Sequence, residues 1–168
     1  FKQLAKELKK DVKPVKPIEP PKRKPEYLLN QYTITDYHLG MMAWKEEAGD
    51  NWNLKKAEAL LLDWFQVAIN QAPDTETAIF AQLGDFLHWD GIEAVTPSHG
   101  HILDADTRFQ KLIRVAIRVI RSVITLLLQK HNYVHIIHAT GNHDISTSSF
   151  FREMLAELYR DEPRVTVD

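Results

Sequence analysis

Three short segments carry residues whose types and spacing suit metal chemistry. They are Thr35-Asp36-Tyr37-His38-Leu39-Gly40, Gly84-Asp85-Phe86-Leu87-His88 and Gly141-Asn142-His143-Asp144. Asp36 and His38 are two apart in what reads as an extended segment, so their side chains point the same way and can meet one ion. Asp85 follows Gly84, whose missing side chain lets the backbone come close. The two oxygens of Asp85 could bridge two ions, and Asn142 adds a neutral carbonyl oxygen. Oxygen and nitrogen ligands without sulfur suit two divalent ions, Mn first, with Fe, Zn, Ni or Co as the other options. Two ions about 3.5–4 Å apart would hold a nucleophilic oxygen in line with phosphorus and neutralise the phosphate oxygens. His143, next to Asn142, is the expected proton donor to the leaving alkoxide. Asp144 is expected to partner a site histidine. Each segment alone is common in proteins. The ordered trio, each member at a strand end, is the specific signal.

The pattern between these segments says what must position them. A strand through Tyr32–Thr35 ends at Asp36. Asn53 can cap a helix from Leu54 to about Asn70, with Leu60, Leu61, Trp64, Phe65 and Ala68 on its apolar side. After a turn at Pro73-Asp74, a second strand, Thr77–Leu83, leads to Gly84. A loop with Gly91, Pro97 and Gly100 precedes a long helix from about Asp106 to Lys130. A third strand, Tyr133–Ala139, leads to Gly141. A helix over Thr147–Tyr159 follows, and Arg164–Val167 opens a fourth strand. Strand alternating with helix predicts an α/β fold, a parallel or mixed sheet flanked by helices, with ligands outside the carboxyl ends of its strands.

The three segments together resemble the calcineurin-like metallophosphoesterase superfamily, whose pattern is D-x-H, G-D, G-N-H-[DE], then a lone His and a G-H-x-H. The resemblance covers about residues 30–168, the amino-terminal part of such a domain. It implies that Asp36, His38 and Asp85 bind one metal with Asp85 bridging, that Asn142 binds the second, and that His143 assists the leaving group. Residues for the two later motifs are expected beyond Asp168, so that the fold is truncated before its C-terminal strands. Within the superfamily, His38-Leu39-Gly40 and Gly84-Asp85-Phe86-Leu87-His88 resemble the DNA-repair exonuclease branch, which places His88 near the substrate phosphate. The stretch Pro97–Arg108 resembles phage-encoded members. The resemblance implies a metal-dependent phosphodiesterase or nuclease acting on DNA. A phosphomonoesterase acting on nucleotides or phosphoproteins shares the same motifs, and a non-catalytic scaffold shares the fold.

Composition bounds this reading. The chain has 168 residues, 44% hydrophobic, enough for one core plus a tail, and a net charge of -2. Residues 1–25 hold nine Lys/Arg against three acids, which leaves the rest at -8. With five prolines between Pro14 and Pro25, residues 11–25 read as an extended, solvated linker after a short helix over 1–10. The division expected is a basic Pro/Lys-rich arm over 1–25 and the phosphoesterase part over 26–168, with a domain or partner preceding the arm. The absence of cysteine excludes disulfides and thiolate metal sites and fits a cytoplasmic location. No apolar run approaches the ~18 residues of a membrane span.

Several further residues admit a structural or a functional reading. Lys111, Arg114, Arg118 and Arg121 share one sector of the long helix, either as a solvated face or as contacts to a nucleic-acid backbone. His99-Gly100-His101 is expected in a solvated loop over the site. Trp89 suits the core or rim better than base stacking. His135 and His138 are three apart on a strand and should face opposite sides of the sheet.

Overall fold

The computed structural model describes residues 18–168. The expected helix over 1–10 and the linker up to residue 17 lie outside the described residues. Four strands, β1 (Leu29–Ile34), β2 (Thr77–Gln82), β3 (Tyr133–His138) and β4 (Val165–Val167), form one sheet in that order. All three pairings are parallel, with Tyr32, Phe80 and Ile136 side by side. The helices are α1 (Lys45–Ala48), α2 (Leu54–Gln71), α3 (Phe109–Lys130) and α4 (Ile145–Leu158). The expected α/β architecture is thus present, with a wholly parallel sheet.

Each strand is added on the same side of the one before it. With a single handedness of crossover, that stepping puts every helix on the same face of the sheet. The side chains agree. Tyr32, Ile34, Ala78, Phe80, Val134, Ile136 and Val165 join residues of α2, α3 and α4 in one buried cluster. Phe65 of α2 is fully buried there, edge-on to Phe80 at 5.4 Å between ring centroids. Burying such a ring contributes roughly 2–3 kcal/mol. The opposite face carries Leu29, Gln31, Thr33 and Tyr133, all exposed, with Ile79, His135 and Ile137 half-buried. His135 bonds Thr166 on this open face, while His138 lies within the covered one, so the two point to opposite sides as expected.

Helix boundaries depart from the sequence expectation for a common reason, which is capping from a distance. Asn53 does cap α2, accepting from Lys56 N at 2.9 Å. Asp106 also accepts from Leu54 N at 2.7 Å and donates its own N–H to Gly40 O at 3.0 Å. Committed to those partners, Asp106 is not the start of α3, which begins at Phe109. Asp90 accepts from Ser146 N at 2.6 Å and Thr147 N at 2.8 Å, so α4 starts at Ile145, two residues earlier than expected. On α2 the buried stripe is Leu54, Ala57, Leu61, Phe65 and Ile69. Leu60 and Trp64, expected on that stripe, are exposed.

Residues 18–25, expected as solvated linker, lie against the body. Arg164 donates to Ile18 O, Asn132 to Pro21 O, and Glu76 N to Pro25 O. Trp89 is buried beside Phe109, a core residue. No helix among the described residues is long and apolar enough to cross a membrane.

Candidate metal centre

Beyond the ends of β1 and β2 the two chains stay joined. Asp36 N donates to Gly84 O at 3.1 Å, His38 N to Asp85 O at 2.9 Å, Leu39 N to Phe86 O at 2.8 Å and His88 N to Leu39 O at 3.1 Å. This ladder brings the first two segments together as one unit. It also turns sharply. Asp36, His38 and Asp85 have φ values of 50, 48 and 52°, and no other non-glycine described residue has positive φ. The extended geometry expected at Asp36 and His38 is therefore replaced by the left-handed one. That conformation is unfavourable for residues with a Cβ, and such strain collects at functional sites.

The third segment docks onto this unit through Gly141. A Cβ there would overlap the backbone nitrogen and Oδ1 of Asp85. That close approach lets Asp85 Oδ1 accept the His143 N–H at 2.7 Å. Asp144 is buried, and its oxygens accept from Leu87 N at 3.0 Å and Gly141 N at 3.2 Å. It was expected to partner a histidine. Its bonds instead go to the backbone, where it clamps the second segment to the third.

Three imidazoles meet in the space so enclosed. The ring of His143 lies 4.7 Å from that of His38 and 5.7 Å from that of His88. His38 Nδ1 and His88 Nδ1 are 3.3 Å apart. His143 Nδ1 is 2.8 Å from His88 O. A carbonyl only accepts, so His143 Nδ1 carries a proton, and Nε2 is the nitrogen left for an ion or a substrate. Burial, then the neighbouring His38 and His143, pull the His88 pKa down to about 4. Burial, then His143, lower that of His38, while Asp85 and Asp36 oppose the shift. Both rings are neutral at pH 7, the form a metal ion requires.

Two ligand sets result. Asp36, His38 and Asp85 offer ligand atoms within 4.8 Å of one another, and so do His38, His88 and His143. The residues fit a divalent ion by donor chemistry and by convergence. Asn142 lies exposed between Gly141 and His143. Comparison with known proteins gives no match: no protein-family model, no curated protein and no solved structure matches this chain.

The remaining candidates lie elsewhere. Lys111, Arg114 and Arg118 are exposed and Arg121 is half-buried. Arg118 holds Glu58 of α2 through two bonds of 2.7 Å, and Arg121 bonds Tyr159. The three arginines line a groove of about 900 Å³ between α2 and α3 that no metal-centre residue lines. The rings of His99 and His101 stack at 5.8 Å in an exposed loop closed by the Val95–Ile102 bridge, and they belong to neither ligand set. Sequence reasoning gave His88 no place among metal ligands. The signal available was that each of the three segments carries a histidine one to three residues past its Asp or Asn.

Proposed function

We propose that the chain is a metal-dependent hydrolase of phosphoesters, acting on phosphodiesters and on DNA in particular, through a centre of two divalent ions. The observation that carries this reading is the convergence of Asp36, His38 and Asp85 at the carboxyl ends of β1 and β2, each in a left-handed backbone. The motif resemblance to calcineurin-like metallophosphoesterases supports the reaction class, and the flanks of His38 and His88 support DNA as substrate.

Asp36, His38 and Asp85 would hold one ion, with Asn142 serving the second. When bound, such ions supply Lewis acidity and neutralise phosphate charge. The other steps belong to the chain. Asp85 Oδ1 accepts the His143 N–H, so Oδ2 is the oxygen that would serve an ion. His88, neutral at pH 7, can hydrogen-bond a phosphate oxygen without adding charge. His143 keeps its Nδ1 proton on His88 O, so a proton taken up at Nε2 is the one available to the leaving alkoxide. The water oxygen bonds phosphorus and gives up a proton to solvent, the ester P–O bond breaks, the His143 proton goes to the departing oxygen, and His143 is reprotonated from solvent.

The test is hydrolysis with Mn of bis-p-nitrophenyl phosphate against p-nitrophenyl phosphate. The diester is expected to be cleaved and the monoester spared. Asp85→Asn is expected to remove Mn binding and turnover together, and His143→Ala to lower turnover on the order of 100-fold while Mn stays bound. Cleavage of the monoester alone would assign a phosphatase. Cleavage of neither would favour the scaffold.

A further inference from the structure

The three histidines differ from the carboxylate set in what they prefer. Asp36, His38 and Asp85 put two carboxylates on an ion, which suits Mn or Mg. His38, His88 and His143 put three imidazole nitrogens on it, which suits zinc, cobalt or nickel. The spacing of two of the rings fits ligands on one ion, and the third offers a nitrogen within 4.8 Å of them. Zn–N bonds are about 2.0–2.1 Å, so two nitrogens at corners of a tetrahedron stand roughly 3.3–3.4 Å apart. His38 Nδ1 and His88 Nδ1 stand 3.3 Å apart. The third ring is also arranged as a ligand. Its non-coordinating nitrogen donates to a backbone carbonyl, the usual way a metal-bound imidazole is oriented. That carbonyl belongs to His88, so one ligand's peptide aims the other's ring.

We propose that His38, His88 and His143 form a three-imidazole site for a single zinc-class ion, separate in metal preference from the Asp36, His38 and Asp85 set. The sets share His38, so a zinc ion and a manganese ion compete for it. An ion on the three imidazoles also withdraws His88 and His143 from any phosphoester.

The test is made on metal-stripped protein, by calorimetric titration with Zn and by visible absorption on titration with Co. One equivalent of Co is expected to give the intense bands of a four-coordinate, nitrogen-rich ion, and Zn to abolish them. Zn affinity should fall at least about tenfold in His143→Ala and in His88→Gln, and hold in Asp36→Asn. Mn affinity should do the reverse, falling in Asp36→Asn and holding in His143→Ala. His143 meets Asp85 through its backbone N–H, so His143→Ala keeps that contact and carries the test if His88→Gln fails to fold. Zn affinity unchanged in His143→Ala, or lost in Asp36→Asn, would overturn the site. The binding readout is independent of catalysis. A chain that takes up zinc this way yet cleaves no ester refutes the phosphoesterase reading alone.

Discussion

Gly141 is the point on which the third segment meets the first two. Any side chain there must displace Asp85, whose position is fixed by the ladder to His38 and by the His143 N–H. Gly141→Ala is expected to destabilise the fold by about 2–3 kcal/mol, the range for forcing atoms into a packed site. It should also weaken Mn binding. Thermal melting and Mn titration of the same variant check both. The identity of such residues was legible in the sequence because ligand chemistry resides in side-chain type. Asp36, His38 and Asp85 are recognisable as ligands, and their oxygen and nitrogen donors do converge in the structure. Their backbone was not legible. Nothing in an Asp-Tyr-His tripeptide announces left-handed φ, which tertiary hydrogen bonds impose. The task of Asp144 was hidden for a similar reason, since its two partners are backbone N–H groups, one of them 57 residues away.

Two helices depend on carboxylates supplied by loops. Asp90, two residues after the second segment, holds the first turn of α4, which begins directly after the third. The helix terminus and the metal centre are thereby tied to the same short loop. Asp90→Ala is expected to cost about 1–2 kcal/mol, the loss of a strong N-cap. It should also loosen His143, seen as faster amide exchange over residues 141–147 than in wild type. Strand and helix positions were readable from periodicity, because each pattern is local. Helix starts were not, because Asp90 and Asp106 act across the chain. The inward face of α2 was misjudged at Leu60 and Trp64 for a further reason. Apolar residues outnumber what one stripe can bury, and only packing against the sheet and α3 decides which go in.

Among the described residues the sheet is covered on one side, and β1 shows it. Its residues Leu29-Asn30-Gln31-Tyr32-Thr33-Ile34 alternate exposed and buried, whereas a parallel strand covered on both faces reads as a continuous apolar run. The covered side holds one residue that ties global stability to pH. His138 is buried against Phe86 and Phe151, and neither of its ring nitrogens has a hydrogen-bond partner among the described residues. Burial lowers its pKa from 6.5 to about 4. The unfolded chain therefore binds a proton between those values that the folded chain refuses. The stability contributed is complete above about pH 6.5 and falls as pH drops towards 4, by about 3 kcal/mol in total. Denaturant melts of wild type and His138→Leu at pH 7.5 and 4.5 should show the gap between them narrowing or reversing at the lower pH. The three left-handed ligands have a consequence of a different kind. Asp36→Gly would relieve an unfavourable backbone and, net of glycine's greater freedom when unfolded, raise stability by up to about 1 kcal/mol. The same change deletes a ligand, so the melting temperature should rise while Mn affinity collapses. A selection that rewarded heat resistance alone would then erase the metal centre one residue at a time, and only a demand for the metal keeps Asp36 in place.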